Sequence, residues 1–232
     1  MSGQGTERVV SPGTRTVAAA LGAMVGVSGL DHGFFETLQG GKATGSLIVQ
    51  AIGPDQRMWV RGTEEAFTIL PIFLAAGILS LALGVAVIVW SVGFIERRHG
   101  AAVFLALSGL MFLAGGGVGM LAFVVIGWAV ARRIDRPIGW WRSLPATLRP
   151  GLARAWRGLI ALAAVLYAFA LEVAIAGIVP GVADPDAREY LCWLALVGML
   201  VSMLLALAGA SAWEARESGP PAADSVAAAP IR

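Results

Sequence analysis

Two side chains in the first forty residues have types and spacing suited to chemistry. His32 and Glu36 are four apart, so on a helix they share one face, and Gln39 continues that face. Asp31 stands beside them. An imidazole next to a carboxylate can relay a proton, hold a polar substrate or contribute to a metal site. A metal takes three or four ligands as a rule, and the other histidine, His99, follows two arginines in a basic turn. His32 and Glu36 alone are a thin ligand set, and no cofactor is implied. Ser28 precedes His32 by four residues, yet the chain has no Gly-x-Ser-x-Gly elbow. GGKATGS at 40–46 has its lysine in the wrong place for a phosphate-binding loop. The motifs therefore lean away from an enzyme. Farther along, Glu172 is a lone acid with apolar neighbours on both sides.

The elements that must position these residues are long and apolar. Of 232 residues, 57% are hydrophobic and 14% charged, against about 25% charged in soluble domains; the mean hydropathy is +0.76. The composition predicts an all-α, polytopic transmembrane helix bundle, with the lipid bilayer as its first partner. Helices are expected over about 17–38, 66–94, 156–179 and 190–213, with a further apolar segment at 101–131 and a transmembrane domain covering 15–213. The polar ends, 1–14 and 214–232, read as disordered tails. A cleaved signal peptide is not expected, because Asp-His-Gly-Phe-Phe follows the first apolar run where small residues would stand. Residues 40–63 form an interfacial loop. Thr63 suits an N-cap, with Glu64 and Glu65 at the positive end of the second helix, which accounts for both carboxylates without function. Pro71 then falls early in that helix. Cys192 is the only cysteine, so neither an intrachain disulfide nor a thiolate cluster is available.

Glycines mark two further features. Gly22, Gly26, Gly29 and Gly33 recur at helical spacing, a stripe that lets another helix approach closely. That helix can belong to this chain, to a second copy or to a membrane-protein partner. Glu36 continues the stripe. Gly115, Gly116, Gly117 and Gly119 interrupt the segment 101–131. As one helix it would measure about 46 Å, more than the roughly 30 Å of a hydrocarbon core. Adjacent glycines weaken a helix, and a break at membrane depth is tolerated only where protein or water covers the freed backbone groups. The segment either enters and returns as a short hairpin or crosses once as a fifth span.

Charge gives the orientation. Seven arginines lie between 132 and 157, among them Arg132, Arg133, Arg136 and Arg142 beside Trp140 and Trp141. This interfacial segment, 132–155, is expected on the cytoplasmic side of a bacterial cytoplasmic membrane. Basic clusters that flank apolar spans speak for orientation rather than for nucleic acid, which is not expected as a partner. If 101–131 returns, 13 basic residues fall on that side and 4 on the other; if it crosses, the division is 12 and 5. The returning arrangement places Asp31, His32, Glu36 and Glu172 together in the outer half and permits one polar site. A single crossing separates Glu172 from the others.

The strings SGLDHGFFETLQG at 28–40, GTEEAF at 62–67 and WSVGFIERRHG at 90–100 resemble a group of small bacterial multi-pass membrane proteins. The resemblance covers about the first hundred residues and implies an integral membrane protein, with no activity attached. Three readings follow. The first is small-solute or proton-linked transport through a polar pocket in the outer half. The second is a non-catalytic subunit packed through its glycine stripes. The third is a membrane-embedded enzyme or metal site using His32 and Glu36. The first helix leaving the lipid accounts for Gln39 and, as the simpler reading, for Asp31; His32, Glu36, Glu172 and Asp31 are the candidates for binding a substrate or a proton.

Overall fold

A computed structural model describes residues 10–136 and 139–217, so residues 1–9, 137–138 and the tail beyond Glu217 lie outside the described part. The chain forms helices α1 (Pro12–Leu38), α2 (Phe73–Gly93), α3 (Gly100–Ala114), α4 (Leu121–Ala131), α5 (Arg149–Ala176) and α6 (Pro185–Glu217). Three short strands join them: β1 (Ile48–Gln50), β2 (Glu65–Phe67) and β3 (Gly116–Gly117). Helices α1, α2, α5 and α6 are long and apolar enough to cross a membrane. At 15 and 11 residues, α3 and α4 are not.

The glycine stripe is used inside the chain. A Cβ on Gly26 would stand 2.7 Å from the Gly84 carbonyl oxygen, and one on Gly33 would stand 2.7 Å from that of Gly77. Gly77 and Gly84 in turn press on the carbonyls of Gly33 and Gly26. Backbone therefore lies on backbone where α1 passes α2, contact that only small residues allow. Gly22 and Gly29 meet other neighbours: Ser91 and Phe104 crowd the first, and the Met111 sulfur crowds the second.

These contacts also settle the path of 101–131. Phe104 sits against Gly22 and Gly127, Met111 against Gly29, Gly115 against the Glu36 carboxyl, and Gly117 against the His32 ring. Helix α3 thus rises beside α1, and α4 returns until the Ser11 amide donates to the Ile134 carbonyl at 2.8 Å. The segment is a hairpin and not a fifth span. Its base shares one end of the bundle with the N-terminus of α1 and the end of α6. There Arg15 pairs with Glu96 at 2.8 Å, and the Glu214 carboxylate accepts the Gly13 and Thr14 amides at 2.7 and 3.0 Å. An acid on the exposed amides at the start of α1 suits the positive end of a helix. Glu214 therefore belongs to the fold: residues 12–14 and 214–217, expected to be disordered, are helical, and the rest of both expected tails, apart from Val10 and Ser11, lies outside the described residues.

The turn of the hairpin is covered by the loop after α1. Strand β2 pairs antiparallel with β1 on one side and β3 on the other, with Ala66 opposite Gly117 and Phe67 opposite Gly116. Thr68 donates its hydroxyl to the Ala114 carbonyl at 2.9 Å, and the Ile69 amide donates to the Leu113 carbonyl at 3.0 Å. The backbone groups freed by the glycine break are met by protein, as membrane depth requires. Consequently α2 starts at Phe73 and not near residue 66, and Thr63 caps no helix. Pro71 lies before α2, in keeping with its lack of an N–H and its bias of the preceding residue toward extended backbone. Helix α5 likewise begins at Arg149, inside the stretch expected to be wholly interfacial.

Candidate functional site

His32 is fixed at one nitrogen and free at the other. Its Nδ1 lies 2.9 Å from the Ser28 carbonyl oxygen, which can only accept, so Nδ1 carries the proton. The Ser28 hydroxyl is 3.4 Å from the same nitrogen. Because that nitrogen is already a donor, it cannot take a proton from Ser28, and a serine nucleophile activated by His32 does not fit. On the far side of the ring, Nε2 lies 3.8 Å from the Glu64 carboxylate, an ion-pair distance rather than a hydrogen bond. The ring itself is buried, at 4% exposure.

Glu36 sits one turn farther along α1 at 0% exposure, and neither of its oxygens meets a hydrogen-bond donor. The positions a Cβ would take on Gly115 and Gly117 are filled by the Glu36 carboxyl and the His32 ring. Gly115 also has φ +151°, in the region that favours glycine. The break in the hairpin is thus fitted around the two side chains that the sequence singles out. Its glycines make room for them. A carboxyl without donors, beside the negative C-terminal end of α3, is matched only by a proton or a cation.

Glu64, which sequence reasoning set aside as a helix-start acid, is the partner of His32. Its side chain keeps 29% of its exposure, and burial pushes its carboxyl up to about 7. The missed signal is the strand: only with β2 at Glu65–Phe67 does the loop fold back over α1. Gln39 is structural. It is buried and donates to the carbonyls of Gln50 and Ala51 at 2.9 and 2.7 Å, tying the loop to the end of α1. Asp31 is partly exposed and within electrostatic reach of His32 and Glu64.

His32 and Glu64 face a cavity of about 980 Å³. Its floor is Ser28, His32 and Tyr167, whose hydroxyl donates to the Met24 carbonyl at 3.0 Å. Met120 and Phe123 at the start of α4 form one wall, and Trp193, Leu196 and Val197 on α6 form the other. Gln50, Arg57, Arg61 and Glu189 stand at the mouth. Arg61 is engaged there with Asp186 and Glu189. Trp59, also on the lining, donates its indole N–H to the Ala174 carbonyl at 3.0 Å. Below the floor the bundle is filled by Leu21, Val25, Phe104, Val124 and Met203, so the cavity does not continue toward the opposite end of the bundle.

Glu172 does not join this group. Leu171 and Ala174 line the cavity, whereas Glu172 is exposed on another face of α5. The hairpin does put it in the same half of the bundle as His32, as the topology argument expects; its helical phase turns it away. Among the described residues no three His, Cys, Asp or Glu side chains are grouped to hold a metal ion. At the opposite end, Arg132 stacks 4.9 Å from the Trp128 ring, and Arg142 and Arg149 lie 5.9 and 5.6 Å from that of Trp141. No family model, curated protein or solved structure matches the chain, so its function has to be read from the geometry of this cavity.

Proposed function

We propose that the protein is a multi-pass component of the bacterial cytoplasmic membrane that takes up a small molecule in its outward-facing cavity and couples that event to a proton held by His32, Glu64 and Glu36. The arginine-rich end, with residues 132–155, faces the cytoplasm on this reading, because basic residues gather on that side of spans. The observation that carries it is the disposition of His32. One nitrogen is committed to the Ser28 carbonyl, and the other is presented to Glu64 at the cavity floor. Glu64, raised by burial to about 7, can hold or release a proton near neutral pH, and it stands opposite an imidazole nitrogen that can accept one. Glu36 behind them supplies a second, fully enclosed proton or cation position. Ionisable groups at membrane depth mark ion and substrate pathways more often than they stabilise a fold. Transport then requires the core below the floor to open in turn, and the arrangement described above is, on this reading, the state open to the outside.

The test is proton movement in proteoliposomes holding a pH-sensitive dye, challenged with a panel of amino acids, sugars, organic acids, organic cations and short-chain amphiphiles. One class should drive proton movement in the wild type and fail to do so in Glu64→Gln and Glu36→Gln. A panel in which no compound gives a signal that these variants remove would sink the reading.

A further inference from the structure

The cavity is polar at one end and apolar at the other, and it is not closed off from the bilayer. Trp193 and Val197 line it while remaining 61% and 58% exposed, so the gap between the start of α4 and the first half of α6 opens sideways toward the lipid chains. Its polar mouth holds two arginines of different standing. Arg61 is neutralised by Asp186 and Glu189. Arg57 is exposed and makes no ion pair or hydrogen bond among the described residues. A soluble solute would gain nothing from the apolar lateral opening, and a purely apolar one would leave Arg57 unanswered. An amphiphile answers both.

We infer that the cavity binds an amphiphile with an anionic oxygen-bearing head, its head at Arg57 and its chain between α4 and α6. The volume, about 980 Å³, is at the upper end of the range of small-molecule sites, enough for a head and a substantial part of one chain, with the remainder left in lipid. Arg57 supplies the planar guanidinium that matches phosphate or carboxylate. Thr63, on the same lining, adds a hydroxyl. The inference rests on the cavity being a ligand site, as proposed above, and names the class of ligand; it does not need the ligand to cross the membrane.

Cys192 makes the site testable in the intact chain. It is the sole cysteine, half-buried, and lies on the cavity wall. An occupant that covers it slows its alkylation by N-ethylmaleimide. Dioctanoyl phosphatidic acid at ten times its dissociation constant should slow the reaction about tenfold, with dioctanoyl glycerol and glycerol phosphate having little effect alone. Arg57→Gln, an exposed change that leaves the fold intact, should raise the concentration needed about tenfold. Native mass spectrometry of the protein with the same compounds provides a second reading that does not depend on Cys192 reactivity. Equal protection by dioctanoyl glycerol, protection by glycerol phosphate alone, or retention of neither phosphatidic acid nor the fatty carboxylates by either measurement would each overturn the inference. Octanoate and decanoate separate a carboxylate from a phosphate head, and protection by either form of anion supports it. Proton movement driven by some other compound, without amphiphile binding, would leave the proton-linked reading standing and remove this one. Binding without proton movement would do the reverse.

Discussion

The two halves of α1 meet the same neighbours under different rules. In the half nearer Pro12, Gly22 receives side chains, Val17, Leu21 and Val25 fill an apolar core, and the buried polar side chains, Thr14 on the helix and Ser91 against it, are hydroxyls. In the half nearer Leu38, the helix carries His32 and Glu36 into a region where the opposing hairpin has given up both its helix and its side chains. A continuous α3 would have filled that space with apolar groups. The break creates room for two ionisable groups, and the loop strand β2 closes the backbone that the break exposes. The polar site and the core therefore differ through two matched changes: α1 brings in His32 and Glu36, and the hairpin turns where they need room.

The contrast can be broken from several directions. The largest effect should come from Gly115→Leu, which places a side chain where the Glu36 carboxyl stands and forces a non-glycine residue to φ +151°. Strain and overpacking together should remove about 3 kcal/mol or more, read as a large fall in thermal midpoint in detergent. Gly26→Leu should be of similar size, about 3 kcal/mol, because the Gly84 backbone blocks it and cannot be pushed aside like a flexible side chain. A Gly26→Leu protein as stable as the wild type would show that the α1–α2 contact is looser than described. Trp59→Ala should cost about 2 kcal/mol, through the lost indole hydrogen bond to Ala174 and the lost packing on Gly62 and Gly177.

A pH series sharpens the comparison. Glu64 has its folded value raised to about 7 from 4.5, so between those limits the folded chain holds a proton that the unfolded chain has released. Stability should therefore fall as pH rises from about 4.5 to about 7 and level off above. Glu64→Gln should flatten the difference in thermal midpoint between pH 5 and pH 8. An unchanged difference would mean that Glu64 is not the group responsible. The smallest effect is expected at the mouth. Arg61→Ala breaks two exposed ion pairs and should change stability by no more than about 1 kcal/mol.

The sequence states the class of this protein plainly because apolar spans and arginine clusters are properties of composition and order. His32 and Glu36 are legible for the same kind of reason: ionisable residues in an apolar helix are rare enough to be noticed. The glycine break can be seen, but its path is undecided by charge, since 13 against 4 and 12 against 5 differ by one residue. What settles it is contact, with Gly115 and Gly117 lying on Glu36 and His32. Glu64 is hidden because its meaning depends on a three-residue strand whose partner is a pair of glycines about fifty residues on, a pairing with no local pattern. Glu172 shows the opposite failure. Its depth is readable from residue counting, but its direction depends on the helical phase of α5 against neighbours that the sequence does not name.

The pairing of β2 with β3 has a consequence for how the chain is made. Residues 65–67 leave the ribosome about fifty residues before 116–117, and on the proposed orientation they must reach the outer side before the hairpin can turn. The hairpin tip then arrives at a template already in place, and its exposed amides need wait only for docking. A circular permutant opened just after β2, between residues 68 and 72, delivers the two segments in the other order, and would send the bare glycine turn into lipid with nothing to receive it. Biosynthetic order, on this view, is part of what allows three glycines to sit at membrane depth.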